Sequence, residues 1–379
     1  MKKFLISIFV LGLVSGAGYI FSPDYLKTAL KYRTPDIDDY KIFENRTVKA
    51  GNYIPWEKAD DYNQKNFTEE TKKRLEEFEP VAFLIIQDKK IKYEKYWEGY
   101  NENSLSNSFS MAKSIISLLI GIAIDEGYIK SIDQQVGDFI PEYKNPPNDV
   151  LTIRDLLTMS SGLNWDESYS SPFSVTTRAY YGNDLFSLIK NLKVVEKPGV
   201  KWKYLSGNTQ VLAFVLKNAT GMNVSDYASE KLWKPLGAKN DALWCLDKKD
   251  GMEKAYCCFN SNARDFARIG QLILDKGMFD DVEIISKKYI DEATTPNTDL
   301  VTDRGQIVDF YGFQFWILQN KGYKIPFARG ILGQYIFIIP EKNAVVVRLG
   351  KERSDKRSFH AEIPDDVYLI VDAAMEILD

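Results

Sequence analysis

Between the polar run Asn101–Ser108 and Gly127 lies a segment that no surface helix could carry. Met111, Ala112, Ile115, Ile116, Leu118, Leu119, Ile120, Ile122 and Ile124 fall on nearly every side of an α-helix rather than on one stripe. A helix apolar all round must be enclosed by the rest of its domain. The segment is too short, and too well flanked by polar residues, to be a membrane span. Gly127 suits its C-terminal stop. The fold therefore wraps other elements around a central helix, and 379 residues suffice for one large domain or two intertwined ones.

Strand patterns stand at the two ends of the chain. Val81 to Ile86 and Ile91 to Tyr96 flank Asp88-Lys89-Lys90 and read as a hairpin. Tyr311 to Leu318, Ile336 to Ile339 and Ala344 to Leu349 are strand-like again. Helical patterns fill Leu151 to Leu236 and Ala263 to Lys276, and Asp365 to Leu378 closes the chain as a helix. A charged helix is expected after Thr68, with Glu69 and Glu70 placed to suit its dipole. This order predicts one sheet built from both halves of the chain, with a mostly helical region (about 110–300) inserted between them.

Lys2 and Lys3 precede an apolar stretch, Phe4 to Phe21, which reads as a secretory signal or an N-terminal signal anchor. Val14-Ser15-Gly16 offers a small-residue cleavage site. Left uncleaved, about 18 residues at 1.5 Å each span roughly 27 Å, enough to cross a bilayer core. The expectation is an exported protein, periplasmic or membrane-anchored, with its N-terminus in the cytoplasm. No cysteine follows the apolar run, which excludes a lipid-modified cysteine there. Residues 22–79 then form an N-terminal extension, and 80–379 the main domain.

A formal charge of −4 gives no general attraction to nucleic acid phosphates. The three cysteines, Cys245, Cys257 and Cys258, describe neither a disulfide framework nor a zinc site, and are expected to be small buried side chains. The one histidine, His360, is near the C-terminus, so any hydrolytic mechanism needs another general base or must run through it.

Ser110-Met-Ala-Lys113 opens the central helix. A serine hydroxyl is a poor nucleophile until a base takes its proton. Residues three apart share a helix face, so Lys113 can reach Ser110, and burial among apolar residues disfavours the ammonium form and suits a base. A serine at a helix start also keeps an amide N–H free to bind an oxyanion. The bland alternative is that Ser110 only caps the helix. Ser187-Leu-Ile-Lys190 repeats the spacing on what looks like an amphipathic surface helix.

The Ser-x-x-Lys element and further blocks resemble the serine β-lactamase and penicillin-binding-protein superfamily. The nearer match is its class C-like branch, which includes esterases and 6-aminohexanoate-dimer hydrolases. The resemblance runs from about Pro80 to Gly350. It is carried by Leu151-Thr-Ile-Arg-Asp-Leu-Leu-Thr-Met-Ser-Ser-Gly162, by Pro198-Gly199 shortly before Tyr204, by Trp233-Lys-Pro-Leu-Gly237 and by Asn262-Ala-Arg-Asp-Phe-Ala-Arg-Ile-Gly270. It implies an α+β (or α/β) β-lactamase-like fold, an antiparallel sheet from both chain ends flanked by helices.

Of that superfamily's Ser-x-x-Lys, Ser-Asp-Asn and Lys-Thr-Gly elements only the first stands intact. Tyr204-Leu-Ser206 matches the Tyr-x-Ser form of the second, which gives Tyr204 a proton-relay role; Tyr227-Ala-Ser229 has the same spacing without the preceding Pro-Gly. Gly330-Ile-Leu-Gly-Gln334 stands where Lys-Thr-Gly is expected and resembles the Gly-Ile-x-Gly-Gln element of the dimer hydrolases, which makes the Ile331 N–H the second oxyanion donor. Arg329, Gly330, Gln334, Ser206, Tyr169 and Tyr181 are candidate substrate contacts. Asp166, Glu167, Tyr180, Trp244 and Asn260 are weaker ones, and no motif makes Glu167 a class A-type general base.

The resemblance thus implies acyl transfer through Ser110 on an ester, amide or short peptide, with no metal or organic cofactor. Two other readings are a D-Ala-D-Ala-processing or penicillin-binding protein, and a non-catalytic binding module in which Lys113 is salt-bridged away from Ser110.

Overall fold

The computed structural model describes residues 22–169 and 171–378. The apolar segment 1–21 and its expected role in export lie outside them. Among the described residues no helix is long and apolar enough to cross a membrane.

A seven-stranded sheet forms the frame, in the order Trp316–Asn320, Tyr323–Gly330, Gln334–Ile339, Ala344–Gly350, Pro80–Gln87, Lys90–Tyr96 and Glu57–Lys58. Every pair is antiparallel except the last, which is parallel. The two ends of the chain meet in its middle, where Val346 pairs with Ile85 and Val347 with Leu84. These strands are apolar on both faces because both are covered. Leu84, Ile86, Val345, Val347 and Ile336 face the helical body, while Phe83, Ile85, Val346 and Phe337 face the C-terminal helix Asp365–Leu378.

The central helix runs Met111–Asp125 and is buried from Met111 to Ala123. Against the sheet lies the helix Ala263–Leu274, begun by Asn262, whose side chain accepts the Asp265 N–H. Gly270 sets its distance, since a Cβ there would stand 2.4 Å from Val345 Cγ1. The expected charged helix is Glu69–Glu76, capped by the Thr68 side chain.

The expected strand from Tyr311 begins only at Trp316. Tyr311 makes a single bridge to Trp316, and its ring packs edge-on against Trp316 and Trp202, so aromatic packing replaces a ladder. Tyr323–Gly330 was not expected as a strand, because Lys324, Pro326 and Arg329 break the apolar pattern. Pro326 is tolerated because the ladder to Gln334–Ile339 starts one residue later, at Phe327. A second, four-stranded sheet was also not anticipated: Asn45–Val48, Ala242–Cys245, Phe259–Ser261 and Ser106–Asn107 in that order. Its strands are too short to leave a periodic signal.

All three cysteines are buried, as expected. The absence of any bridge is corrected: Cys257 and Cys258 are disulfide-bonded to each other, while Cys245 is free. Adjacent cysteines close a local turn and join no distant segments, so spacing arguments for a framework do not detect them.

Candidate active site

The site forms where the two sheets meet the start of the central helix. Ser108 N–H donates to the Phe259 carbonyl at 2.8 Å, and Asn107 pairs with Asn260. The next residue, Phe109, has φ +43°, unusual for a bulky side chain. Its N–H is held by Asn107 Oδ1 at 2.9 Å, and its ring is buried. This turn delivers Ser110 to the helix N-terminus in an αR conformation, with no side-chain cap bond. The capping alternative is therefore excluded.

The Ser110 hydroxyl instead faces Lys113, whose Nζ donates to Ser110 Oγ at 3.0 Å and to the Tyr256 carbonyl at 2.8 Å. Lys113 is 1 % exposed. Its Nζ lies 5.1 Å from the Tyr204 ring centroid and 5.5 Å from that of Tyr256. It takes part in no salt bridge with a described residue, so it is not drawn away from Ser110. Two aromatic faces and two oxygens are all that compensate its burial.

Tyr204 is held from both sides by Met159, whose carbonyl accepts Lys203 N–H at 2.7 Å and whose sulfur lies 3.4 Å from Leu205 N. Ser161 Oγ bonds Asn208 Oδ1 at 2.6 Å, and Gly199 N–H reaches the Ser160 carbonyl. The Leu151–Gly162 block thus positions Tyr204 and the helix after it, Ser206–Thr220. Gln314 braces the arrangement, accepting from Thr209 Oγ1, donating to the Leu156 carbonyl and accepting from Ser114 Oγ through its own carbonyl.

The Gly330–Gln334 element closes the site. A Cβ on Gly330 would stand 2.3 Å from the Ser108 carbonyl oxygen, so only glycine lets this strand end meet the turn that leads into Ser110. Gly330 thus serves close approach rather than a bulge. Ile331 follows it and lines the same cavities as Ser110.

Two cavities meet at Ser110, Tyr169, Ile331 and Arg353. The larger, about 620 Å³, also takes in Tyr180, Tyr181, Ser206 and Tyr256. The smaller, about 150 Å³, includes Glu167, Tyr204, Trp316, Arg329 and Gly330. Arg329 lies 3.4 Å from the Trp316 ring centroid and donates to the Glu362 carbonyl at 2.7 Å. Burial pushes its guanidinium down to about 10. Burial raises the Tyr256 phenol well above its ordinary range.

Several candidates lie elsewhere or have their groups occupied. Ser206 is engaged by Glu167, which accepts both its N–H and its hydroxyl at 2.6 Å and so satisfies an orphan amide at a helix N-terminus. Tyr169 donates to the same carboxylate. Gln334 lines neither cavity; it is fully buried and braces Gly350 and Leu332 with its amide, which replaces its expected substrate contact. Trp244 and Asn260 are buried behind the site, bonded to backbone carbonyls. Asp166 is taken up by its own loop. Tyr227 bonds Glu126, and Ser187 N–H is capped by Asp184, so neither decoy motif reaches the cavities. His360 packs edge-on against Phe310, outside both cavities.

Sequence reasoning missed Tyr256, Arg353 and the N-terminal helix Asp24–Tyr32, which reaches the large cavity. The Tyr256 role rests on a backbone carbonyl, which no residue pattern reveals.

A family model described as Beta-lactamase matches residues 69–364. A 6-aminohexanoate-dimer hydrolase of Paenarthrobacter ureafaciens is 27 % identical over 320 residues, covering 80 % of each chain. An Escherichia coli (strain K12) protein named for D-alanyl-D-alanine carboxypeptidase is 26 % identical over 289 residues, covering 59 % of this chain and 66 % of its own. Among solved structures, a Bacillus anthracis protein named for 6-aminohexanoate-dimer hydrolase superposes with a TM-score of 0.77 at 20 % identity, over 94 % of each chain. The expected architecture is the one this likeness shows.

Proposed function

The chain is a hydrolase of the beta-lactamase family, and from that premise we propose that it cleaves a small ester or amide through an acyl-enzyme on Ser110. The observation that carries the reading is the 3.0 Å contact between Ser110 Oγ and the buried Nζ of Lys113, which has no carboxylate partner among the described residues. Lys113, with Tyr204, takes the hydroxyl proton as Oγ attacks the carbonyl carbon. The negative charge that develops on the carbonyl oxygen is met by the N–H groups of Ser110 and Ile331. The C–O or C–N bond then breaks, and the leaving atom receives its proton by way of Tyr204. Water repeats the sequence on the acyl-enzyme, releasing the acid and restoring Ser110. Exposure to a fluorophosphonate probe followed by mass mapping tests this: the adduct is expected on Ser110, and an adduct elsewhere refutes the reading.

Small esters and short amides are expected to be turned over faster than penicillins, because Gly330-Ile331-Leu332 stands where the superfamily's Lys-Thr-Gly, with its carboxylate-binding lysine, is expected. A second reading, cell-wall carboxypeptidase-type activity on a substrate bearing a carboxylate, is favoured by one observation: Arg329 and Arg353 both line the small cavity. Comparing kcat/KM for a p-nitrophenyl ester and nitrocefin decides between them. Nitrocefin turnover equal to or above the ester, lost in Arg329→Ala, selects the second reading. The non-catalytic alternative loses its support, since Lys113 is bonded to Ser110.

We also propose that the domain is exported, on the strength of Lys2, Lys3 and the apolar run Phe4 to Phe21. Fractionation and protease accessibility on intact cells test it, and a domain found free in the cytoplasm refutes it.

A further inference from the structure

The large cavity has a wall that lies outside the span matched by the family model. Ala29, Leu30, Arg33, Thr34 and Pro35 border it, and all precede residue 69. They belong to the helix Asp24–Tyr32 and the turn after it. This wall is tied to the catalytic turn. Ala29 is buried in the main core, and the Arg178 guanidinium lies 5.9 Å from the Tyr25 ring centroid. The Ile37 carbonyl accepts Asn107 N–H at 2.8 Å, and Asn107 Oδ1 in turn holds Phe109 N–H beside Ser110. Asp39 Oδ2 accepts the Tyr180 hydroxyl at 2.6 Å, joining the same segment to another wall of the cavity.

We propose that the Asp24–Tyr32 helix is the specificity wall of an acyl pocket, and that the substrate carries an apolar acyl chain longer than acetyl, lying in the large cavity. The inference rests on the Ser110 acyl-enzyme reading. Its orientation comes from Tyr204, which lines the small cavity and not the large one. The group that protonates the leaving atom thus stands on the small side, so the leaving group occupies about 150 Å³ and the acyl part the remaining 620 Å³. Leu30, Pro172, Ile331 and Leu332 give the large cavity an apolar side, beside charged residues that include Arg33 and Glu352. Leu30 borders the cavity and is 54 % exposed, so its side chain is open to a ligand there.

The test is a series of p-nitrophenyl acyl esters, from acetate through butyrate to hexanoate, with one constant leaving group. For the full-length protein kcat/KM is expected to rise about fourfold per methylene added. Leu30→Trp, which fills the pocket, and Leu30→Asp, which charges its wall, are each expected to lower the hexanoate-to-acetate ratio about tenfold. Leu30 is on the surface, so neither change opens the core. Ser110 labelling by a fluorophosphonate, followed on the same preparations, separates the two levels of the claim. A flat series, or an unchanged ratio in both variants, with Ser110 still labelled overturns the acyl pocket and leaves the nucleophile standing. Failure to label Ser110 overturns both.

Discussion

Gly330→Ala isolates the geometry of the site from its chemistry, because it adds one methyl group and alters no reacting side chain. Gly330 has φ −120°, which alanine also adopts, so backbone strain plays no part. The cost is steric. The new Cβ would lie 2.3 Å from the Ser108 carbonyl oxygen and 3.1 Å from the Cβ atoms of Phe109 and Gln334. An ordinary carbon–oxygen approach is about 3.3 Å, so the strand end and the nucleophile turn must part by roughly 1 Å. The oxygen has little freedom to yield, since it accepts Met111 N–H at 3.1 Å in the first turn of the central helix. Ile331 moves with Gly330. A misplacement of about 1 Å costs on the order of 10²-fold, and loss of one oxyanion donor about 10²- to 10³-fold. The expected result is a fall of that size in kcat/KM for p-nitrophenyl acetate, while overpacking destabilises the fold by about 1–3 kcal/mol. Gly322→Ala is the control: it sits in the turn just before the same strand, with φ +84° and open space around its Cβ position. It is expected to lower Tm and leave kcat/KM unchanged. The reasoning fails if Gly330→Ala keeps kcat/KM within threefold of wild type.

Lys113→Met is expected to lower kcat about 10²- to 10⁴-fold with Tm little changed, while His360→Ala retains activity; the opposite outcome on ester turnover would falsify the lysine-base mechanism. Burial pushes the Glu94 carboxyl up, but the bidentate Arg264 contact at 2.6 and 2.9 Å and the Tyr62 hydroxyl outweigh it and hold the group below its ordinary range. A depressed carboxylate stabilises the fold above its unfolded value, and this contribution disappears as pH falls through the folded value. Arg264→Leu should therefore cost about 3–5 kcal/mol in urea unfolding at neutral pH and clearly less in acid; an equal loss at both would show the pair is inert. Gly270→Ala is expected to destabilise by about 1–3 kcal/mol through its 2.4 Å clash with Val345, and Val345→Ala in the same chain should recover part of that; a double variant with simply added losses argues against the clash.

What the sequence made legible follows from where each signal resides. The central helix and the sheet strands carry runs of apolar residues, and a run declares its own burial. Ser110 and Lys113 were legible because three residues along the chain are also one turn of helix, whereas Tyr204, far along the chain, was legible only because Tyr204-Leu-Ser206 after Pro198-Gly199 resembles the Tyr-x-Ser element of the superfamily. Gly330 was visible as a glycine, but the Ser108 oxygen that requires it is more than two hundred residues away. Gln334 misled because an amide beside a glycine-rich turn reads the same whether it faces a ligand or a backbone. The small sheet, the Tyr256 carbonyl and the cavity wall at Leu30 depend on contacts between segments with no pattern of their own. Arg353 follows a strand in an irregular stretch, where residue type alone gives no direction.

The pairing of Pro80–Gln87 with Ala344–Gly350 sets the order in which this chain can acquire structure. The first hairpin is made early in synthesis, yet its inner edge stays open until nearly the whole polypeptide has followed. Its apolar faces wait equally long, one for the Ala263–Leu274 helix and the other for the closing Asp365–Leu378 helix. Ser110 and Lys113 are likewise made well before Ile331, so a growing chain holds the proposed nucleophile without its proposed second oxyanion donor. Pairing over such distances forms slowly, and the strand edge stays exposed meanwhile. That delay leaves the first hairpin unfinished, and dependent on the far end of the chain, for as long as Ala344–Gly350 is missing.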